Sequence, residues 1–325
     1  MERRCVLNSW SKEEVRAVIL YEWARGVSGT EIHNRFVEVY GPGVMSKQMV
    51  RRWCRTFSDG RQQVEDMPRA GRTALVFIAH GYAEHCLLYE PLAQVLASNN
   101  FFVLTHDHVG HGQSEGIRAH IDTFDKFVGD VFCHIDLIRV KYPELDCFIC
   151  GHSMGGAISI LAALKKPAYF KGVVLIGPAV ATNPEVTTPW KTTLAKILRW
   201  IAPQFPVAAL DLSLMCSCPK KVKIMEQDPL RFHGFCKAGF GASLVDACKE
   251  IQKRIPSITF PFVIFQGEDD KLCTPEGAVL MYEKAVSEDK AIKIYPSAFH
   301  NLLNEPNGVA ETVTKEIVNW LCARS

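Results

Sequence analysis

The sequence has no strong excess of charge of either sign, no rhythmic cysteines and no long apolar run. Its formal net charge is +2 over 325 residues, which removes the case for a wholly nucleic-acid-coating or acidic protein. No stretch approaches the ~20 apolar residues of a membrane-spanning helix. The N-terminus opens on charges without an apolar core segment, so no secretory signal is expected. Twelve cysteines are present, but they are scattered through apparent strands and helices rather than spaced as a disulfide framework. Cys147 and Cys150 form a C-x-x-C. On a strand those two side chains face opposite ways, which suits neither a metal nor a redox pair. Cys216 and Cys218 have no second ligand pair nearby. Reduced thiols in a cytoplasmic protein, with any membrane contact peripheral, are the expectation.

Charge distribution is more informative than total charge. Residues 1–72 hold 13 Lys/Arg against 9 Asp/Glu, and the remainder holds 24 against 26. Apolar residues make up 48%, ample for a large core, and the length suits a large domain with an appendage.

The organising stretch is Cys150-Gly151-His152-Ser153-Met154-Gly155-Gly156. It follows an apolar run (Leu145 to Ile149) and leads into Ala157 to Leu164, which has helical composition. Strand, G-x-S-x-G, then helix is the context of a nucleophile elbow, in which a serine sits on a strained turn that bulky neighbours would obstruct. The N–H of Met154, at the helix start, can face a developing oxyanion.

On either side, strand and helix alternate. Ala74 to Ala79 is a near-continuous apolar run ending in His80-Gly81. A helix over Leu92–Ala97, a strand over Phe101–Thr105, a helix over about 123–141 and a strand over Lys171–Ile176 follow. After an interval from Pro178 to about Pro256, strands recur at 261–266 and 291–295, and a helix spans Val309–Leu321. This pattern argues α/β architecture with a doubly wound, mostly parallel sheet. The interval reads as a helical cap. Its Trp190, Leu194, Ile197, Leu198, Trp200 and Ile201 are suited to core packing, to covering a site or to lying on a lipid surface.

A serine is a poor nucleophile without a base, and the base needs an acid to fix its tautomer. Ser153, Asp270 and His300 each follow a predicted strand, in the order that α/β-hydrolases use. Glu268 and Asp269 compete with Asp270 for the acid. His80, His85, His106, His108 and His111 compete with His300, although His80 and His111, flanking glycines, suit loop ordering. The backbone N–H of Tyr82 is the second oxyanion donor expected.

Residues 11–57 read as three short helices, with Ser11-x-x-Glu14 as a capping box, Ser28 or Thr30 capping the second and Ser46 the third. The third is basic (Lys47, Arg51, Arg52, Arg55), as in a helix-turn-helix or in a small bundle with a solvated face. Ser11 to Arg16, Trp23-Ala24-Arg25-Gly26, Val50 to Arg61 and Val64 to Arg72 resemble the N-terminal helix-turn-helix and linker of mariner-type transposases. The resemblance implies a module over residues 1–60 and a linker over 61–73. DNA affinity there is expected to be weak and driven by phosphate contacts, because only one helix-turn-helix fits and no nuclease follows.

Residues 74–323, within a domain expected over 74–325, resemble the monoglyceride lipase family. The resemblance rests on His80-Gly81-x-x-Glu84-His85, Asp107-His108-x-Gly110-His111-Gly112-x-Ser114, Gly151 to Gly156, Asn183-Pro184-Glu185, Gln266-Gly267-x-x-Asp270-x-Leu272-Cys273 and Phe299-His300. It implies the α/β-hydrolase fold with a cap at about 178–256 and hydrolysis of monoacylglycerol esters through Ser153, Asp270 and His300. Tyr82 and Met154 would form the oxyanion hole, Glu84 and Cys273 would lie near the substrate, and no metal or cofactor is called for. Lysophospholipids and other acyl esters or thioesters are alternative substrates. A DNA-binding protein with an inert hydrolase domain, and a non-enzymatic lipid binder, are the alternatives of other classes. Three departures stand out. The antiparallel strand pair that precedes the His-Gly strand in the family is missing, which would leave Phe101–Thr105 at an apolar sheet edge. Tyr82-Ala83 occupies a turn usually built of small residues. Leu88, Met225 and Leu303 replace an arginine, a tyrosine and a histidine of the head-group site.

Overall fold

The computed structural model describes residues 27–40, 50, 73–181 and 189–325, and the chain divides into two compact units, residues 1–71 and 72–325. In the first unit, helix α1 spans Gly29–Tyr40. Ser28 caps it: its Oγ accepts the N–H of Glu31 at 3.3 Å, satisfying one of the donors that every helix start leaves open. Ile32 is buried, and Arg35 pairs with Glu31 one turn away. The helices expected over 11–25 and 46–57, the linker over 61–72 and the Asn183-Pro184-Glu185 motif lie outside the described residues.

The second unit is built on a six-stranded sheet in the order β2-β1-β3-β4-β7-β8, all pairs parallel. Its strands are β1 (Ala74–Ala79), β2 (Phe101–Thr105), β3 (Asp146–His152), β4 (Gly172–Ile176), β7 (Phe262–Gly267) and β8 (Lys290–Tyr295). β1, β4 and β7 are buried at every position, as their predominantly apolar composition demands when helices cover both faces. Period-two alternation divides β1 between two cores. Leu75, Phe77 and Ala79 face one, and Ala74, Val76 and Ile78 face the other. Cys147 and Cys150 fall in different cores, so the C-x-x-C is split by the sheet itself.

Helices α3 (Phe124–Arg139) and α4 (Met154–Lys165) line the first core. α2 (Glu90–Ser98) and α9 (Val309–Cys322) line the second, and α8 (Pro275–Lys284) follows β7. Thr123 caps α3 by accepting the N–H of Asp125. Among the described residues no strand lies beyond β2, which forms the sheet edge, with Phe101 buried and Phe102 and Val103 half-buried.

The cap contains helices α5 (Pro189–Ile201), α6 (Pro219–Gln227) and α7 (Ala238–Arg254). It also holds a short antiparallel pair, β5 (Pro206–Ala208) with β6 (Cys236–Lys237), which apolar periodicity does not reveal because the strands are so short. α7 places Phe240, Ala247, Cys248 and Ile251 in the first core, so it serves both cap and body. The apolar face of α5 is solvent-facing rather than core. Leu194, Ile197, Trp200 and Ile201 are all exposed, Trp200 by 86%. Arg199 anchors the helix by pairing with Asp246 and donating to Asp122 O.

Candidate active site

Parallel strands bring their C-terminal ends to one rim, and the register aligns them there: Ala79 pairs with Gly151, and His152 with Ile176. Ser153 follows β3 and precedes α4 with φ 56° and ψ −118°. A non-glycine residue there is strained, at a cost of about 1–3 kcal/mol. The surroundings enforce it. Ser153 N–H donates to Ile176 O, and Ser153 O accepts from Ala179 N–H. The flanking glycines are needed for close approach: a Cβ on Gly155 would lie 2.0 Å from Ala79 O, and one on Gly151 would lie 2.2 Å from Gly155 O.

Asp270 follows β7 and His300 follows β8, and the two meet: His300 Nδ1 is 2.7 Å from Asp270 Oδ2. The same oxygen accepts from Gln266 Nε2 at 3.0 Å, and Oδ1 accepts the N–H groups of Leu272 and Cys273, each at 2.9 Å. A carboxylate with that many donors keeps its orientation, and with the proton at Nδ1 the other imidazole nitrogen is left as acceptor. Burial works to lower the His300 pKa, but the charge and hydrogen bond of Asp270, with Glu84 further off, outweigh it and raise the pKa above 6.5. Gly177, at φ +48°, lies beneath the pair; a Cβ there would sit 3.2 Å from His300 Nδ1. Glu268 and Asp269 are exposed.

Cys273 is buried, with Sγ 4.0 Å from Ser153 Oγ. Burial and the charge of Asp270 push its thiol well above the ordinary value, so it is not a competing thiolate. Tyr82 sits on the turn after β1, its ring stacked on Phe240 with centroids 4.2 Å apart; Ala83 takes φ 60° in the same turn. Met154 N–H is the first of α4, where no intrahelical partner exists.

Glu84 is fully interior, 1% exposed. Its Oε2 accepts from Gly81 N–H at 2.9 Å and from Tyr89 Oη–H at 2.6 Å, while Oε1 lies 3.4 Å from Arg231 Nη1. Burial alone would raise its pKa, but His152, Arg231 and the Tyr89 hydroxyl hold it well below the usual carboxylate range. The carboxylate therefore braces the His80-Gly81 turn from within. His152, 3.2 Å from Glu84, has its ring centroid 4.8 Å from that of His300.

The other histidines order loops. His80 Nε2 accepts the His108 N–H at 2.9 Å and its Nδ1 faces Gly81 O at 2.8 Å, which fixes one neutral tautomer. His106 and His134 approach to 3.2 Å, and burial depresses both, as it does His108 and His111. His85 pairs with Asp228 at 2.7 Å. The sequence carries no local signal for Arg231 or Tyr89, because each acts through partners distant in the chain. The ten described cysteines are all free. Among the described residues, no group of three or more metal-ligating side chains is arranged to hold a metal ion.

Comparison with known proteins identifies the family and supports the fold. The family model described as serine aminopeptidase, S33, matches residues 70–307, and that of the HTH domain in Mos1 transposase matches residues 12–61. The chain is similar to the monoglyceride lipase of Homo sapiens, 42% identical over 258 residues that make up 79% of this chain and 85% of that protein. It is also similar to the monoacylglycerol lipase of Mycolicibacterium smegmatis, 32% identical over 254 residues, 78% of this chain and 90% of that protein. The crystal structure of Paleococcus ferrophilus monoacylglycerol lipase superposes with a TM-score of 0.71 at 31% identity, covering 78% of this chain and 97% of that one. With the family model spanning well over half its length and the parallel sheet to carry it, this chain belongs to the serine aminopeptidase S33 family of α/β-hydrolases.

Proposed function

We propose that this chain hydrolyses monoacylglycerol-type carboxylic esters to fatty acid and glycerol through an acyl-enzyme. Ser153 Oγ attacks the ester carbonyl while His300 takes its proton. Asp270 holds the imidazole in the tautomer that can do so and steadies the imidazolium. The N–H groups of Tyr82 and Met154 stabilise the oxyanion, and Cys273 borders the site beside Ser153. His300 then protonates the leaving alcohol, and water, deprotonated by His300 in turn, releases the acid. No cofactor enters the scheme. The 2.7 Å contact between His300 and Asp270, at the rim where Ser153 sits on its strained turn, carries the reading. Likeness to the lipases of Homo sapiens and Mycolicibacterium smegmatis supports the ester class.

Head-group preference is the open choice among esters. Leu88 and Leu303 pack against the second core and Met225 is buried in a small cap cluster, so three positions that are polar in the family are apolar here, and apolar surroundings discriminate hydroxyl groups poorly. The deciding experiment is fluorophosphonate labelling of wild type and Ser153→Ala, followed by turnover of monoacylglycerols, lysophospholipids and acyl-CoA thioesters. Absence of labelling in wild type, or equal labelling of Ser153→Ala, refutes the serine mechanism. Faster turnover of a lysophospholipid or thioester reassigns the substrate.

No helix among the described residues is long and apolar enough to cross a membrane. The exposed face of α5, with Phe205 beside it, suits peripheral contact between a cytoplasmic enzyme and the lipid surface that holds its substrate. For residues 1–60 the match to the Mos1 helix-turn-helix supports weak, salt-sensitive binding to duplex DNA. Loss of binding to a random duplex below 50 mM salt would reject it.

A further inference from the structure

The cap is fastened to the loop that carries His300. Asn301 N–H donates to Met215 O at 2.6 Å, and the Cys216 thiol donates to Asn304 O at 3.1 Å. Ser217 donates twice to one carboxylate, its N–H to Glu305 Oε1 at 2.8 Å and its Oγ–H to Oε2 at 2.6 Å. Glu305 is buried, so these bonds satisfy polar oxygens that would otherwise be costly to hold there. Burial pushes the Cys216 thiol up to about 11, so at neutral pH it retains the proton it donates.

The same cap segment also reaches the loop of the acid. Met215 and Cys216 cluster with Met225, and Leu272 packs against that cluster. Leu272 is the residue whose N–H donates to Asp270 Oδ1. One short stretch of cap thus bonds to the residue after His300 and packs on the residue that orients Asp270. Neither contact involves a reacting atom.

We propose that Met215–Ser217 is a clasp that sets His300 against Asp270, with Ser217 and Glu305 as positioning residues for the hydrolysis. The proposal rests on the reading of Ser153, Asp270 and His300 given above. When the clasp opens, the loop from His300 to Glu305 loses its anchor on the cap and the imidazole drifts from its carboxylate. A displacement near 1 Å costs on the order of 10²-fold in rate, so a partial loosening costs about 10-fold.

The test uses full-length Ser217→Ala, Glu305→Gln and the double variant, with monoacylglycerol turnover measured against pH and the rate of fluorophosphonate reaction at Ser153. Each variant is expected to lose about 10-fold in kcat with KM within about 2-fold, since only the alignment of the base changes. The acidic limb of the kcat/KM profile should move to lower pH, because His300 loses part of the support of Asp270. The double variant should be no worse than either single one, and Ser217→Thr, which keeps both donors, should restore the wild-type profile. A folded Ser217→Ala with wild-type kcat and an unmoved limb overturns the clasp. So does a kcat loss with an unmoved limb that Ser217→Thr does not rescue. Should Glu305→Gln fail to fold, Ser217→Ala at its exposed position decides alone. Wild type that neither labels nor turns over overturns the serine mechanism and the clasp together, whereas active wild type with indifferent variants removes only the clasp.

Discussion

Arg231 reaches from the cap to within 3.4 Å of Glu84, and both side chains are 1% exposed. The pair is reinforced on each side: Phe232 N–H donates to Ala83 O, and His85 Nε2 meets Asp228 Oδ2. The cap is therefore tied to the turn that positions Tyr82 N–H as well as to the loop of His300. Replacing Arg231 with Met leaves the Glu84 charge buried with one partner fewer. The expected cost is about 3–5 kcal/mol of stability, read from the shift in urea midpoint, with a reduced rate of Ser153 acylation. A midpoint within experimental error of wild type would show that the pair contributes nothing.

The pH dependence of turnover follows from His300. As the proposed base it works when neutral, and its pKa is raised above 6.5, so kcat/KM should rise with pH through a limb above 6.5. Asp270→Asn removes the charge that raises it and favours the wrong tautomer. The limb should move to lower pH and kcat should fall about 10³–10⁴-fold. A limb that stays in place in Asp270→Asn would remove Asp270 from its assigned role.

Acid stability has a window of its own. Burial depresses His80, His106 and His108, and takes His111 to about 3 and His134 to about 4. These groups hold fewer protons folded than unfolded. Stability is therefore full well above the unfolded value of 6.5 and falls progressively as pH drops below it, where the unfolded chain takes up protons that the buried imidazoles do not. His300, with its raised pKa, acts in the opposite sense but is one group against five. The stability that Glu84 contributes is fully present above its ordinary value of 4.5 and is lost only below it, so the loss between pH 6.5 and 4.5 belongs to the histidines. Urea midpoints at pH 7.5, 6.0 and 5.0 measure it, and a flat series would refute it.

The exposed face of α5 separates surface binding from chemistry. Trp200→Ser with Ile201→Ser should weaken co-sedimentation with phosphatidylcholine vesicles by about 10²-fold or more, the loss expected from ~1.5–3 kcal/mol for each of two large apolar side chains. Turnover of a water-soluble short-chain ester should be unchanged. Unaltered vesicle binding would assign that face another role.

Much of this arrangement is legible along the chain. The strand Ala74–Ala79 is readable because every residue is apolar, which is what a strand covered on both faces requires. The elbow at Ser153 is readable because the close approach of Gly151 and Gly155 to backbone oxygens tolerates no side chain, and that constraint is written as glycine. Only the family resemblance places Glu84 near the substrate; that its carboxylate accepts from Gly81 N–H and the Tyr89 hydroxyl is not legible in the sequence. For α5, periodicity revealed an apolar face but left its destination open, because a face that meets lipid and one that meets core have the same spacing.

Local composition and spacing alone determined the alternating α/β pattern and the nucleophile turn, since each depends on residues adjacent in the chain, whereas the choice of Asp270 and His300 among neighbouring acids and histidines rests on the family resemblance. The pairing of Asp270 with His300, the Arg231–Glu84 contact and the fastening of Ser217 to Glu305 were decided only by the folded sheet and cap. Their partners are separated by 30, 147 and 88 positions, and no rule of local geometry connects side chains so far apart until parallel strands deliver their loops to a single rim.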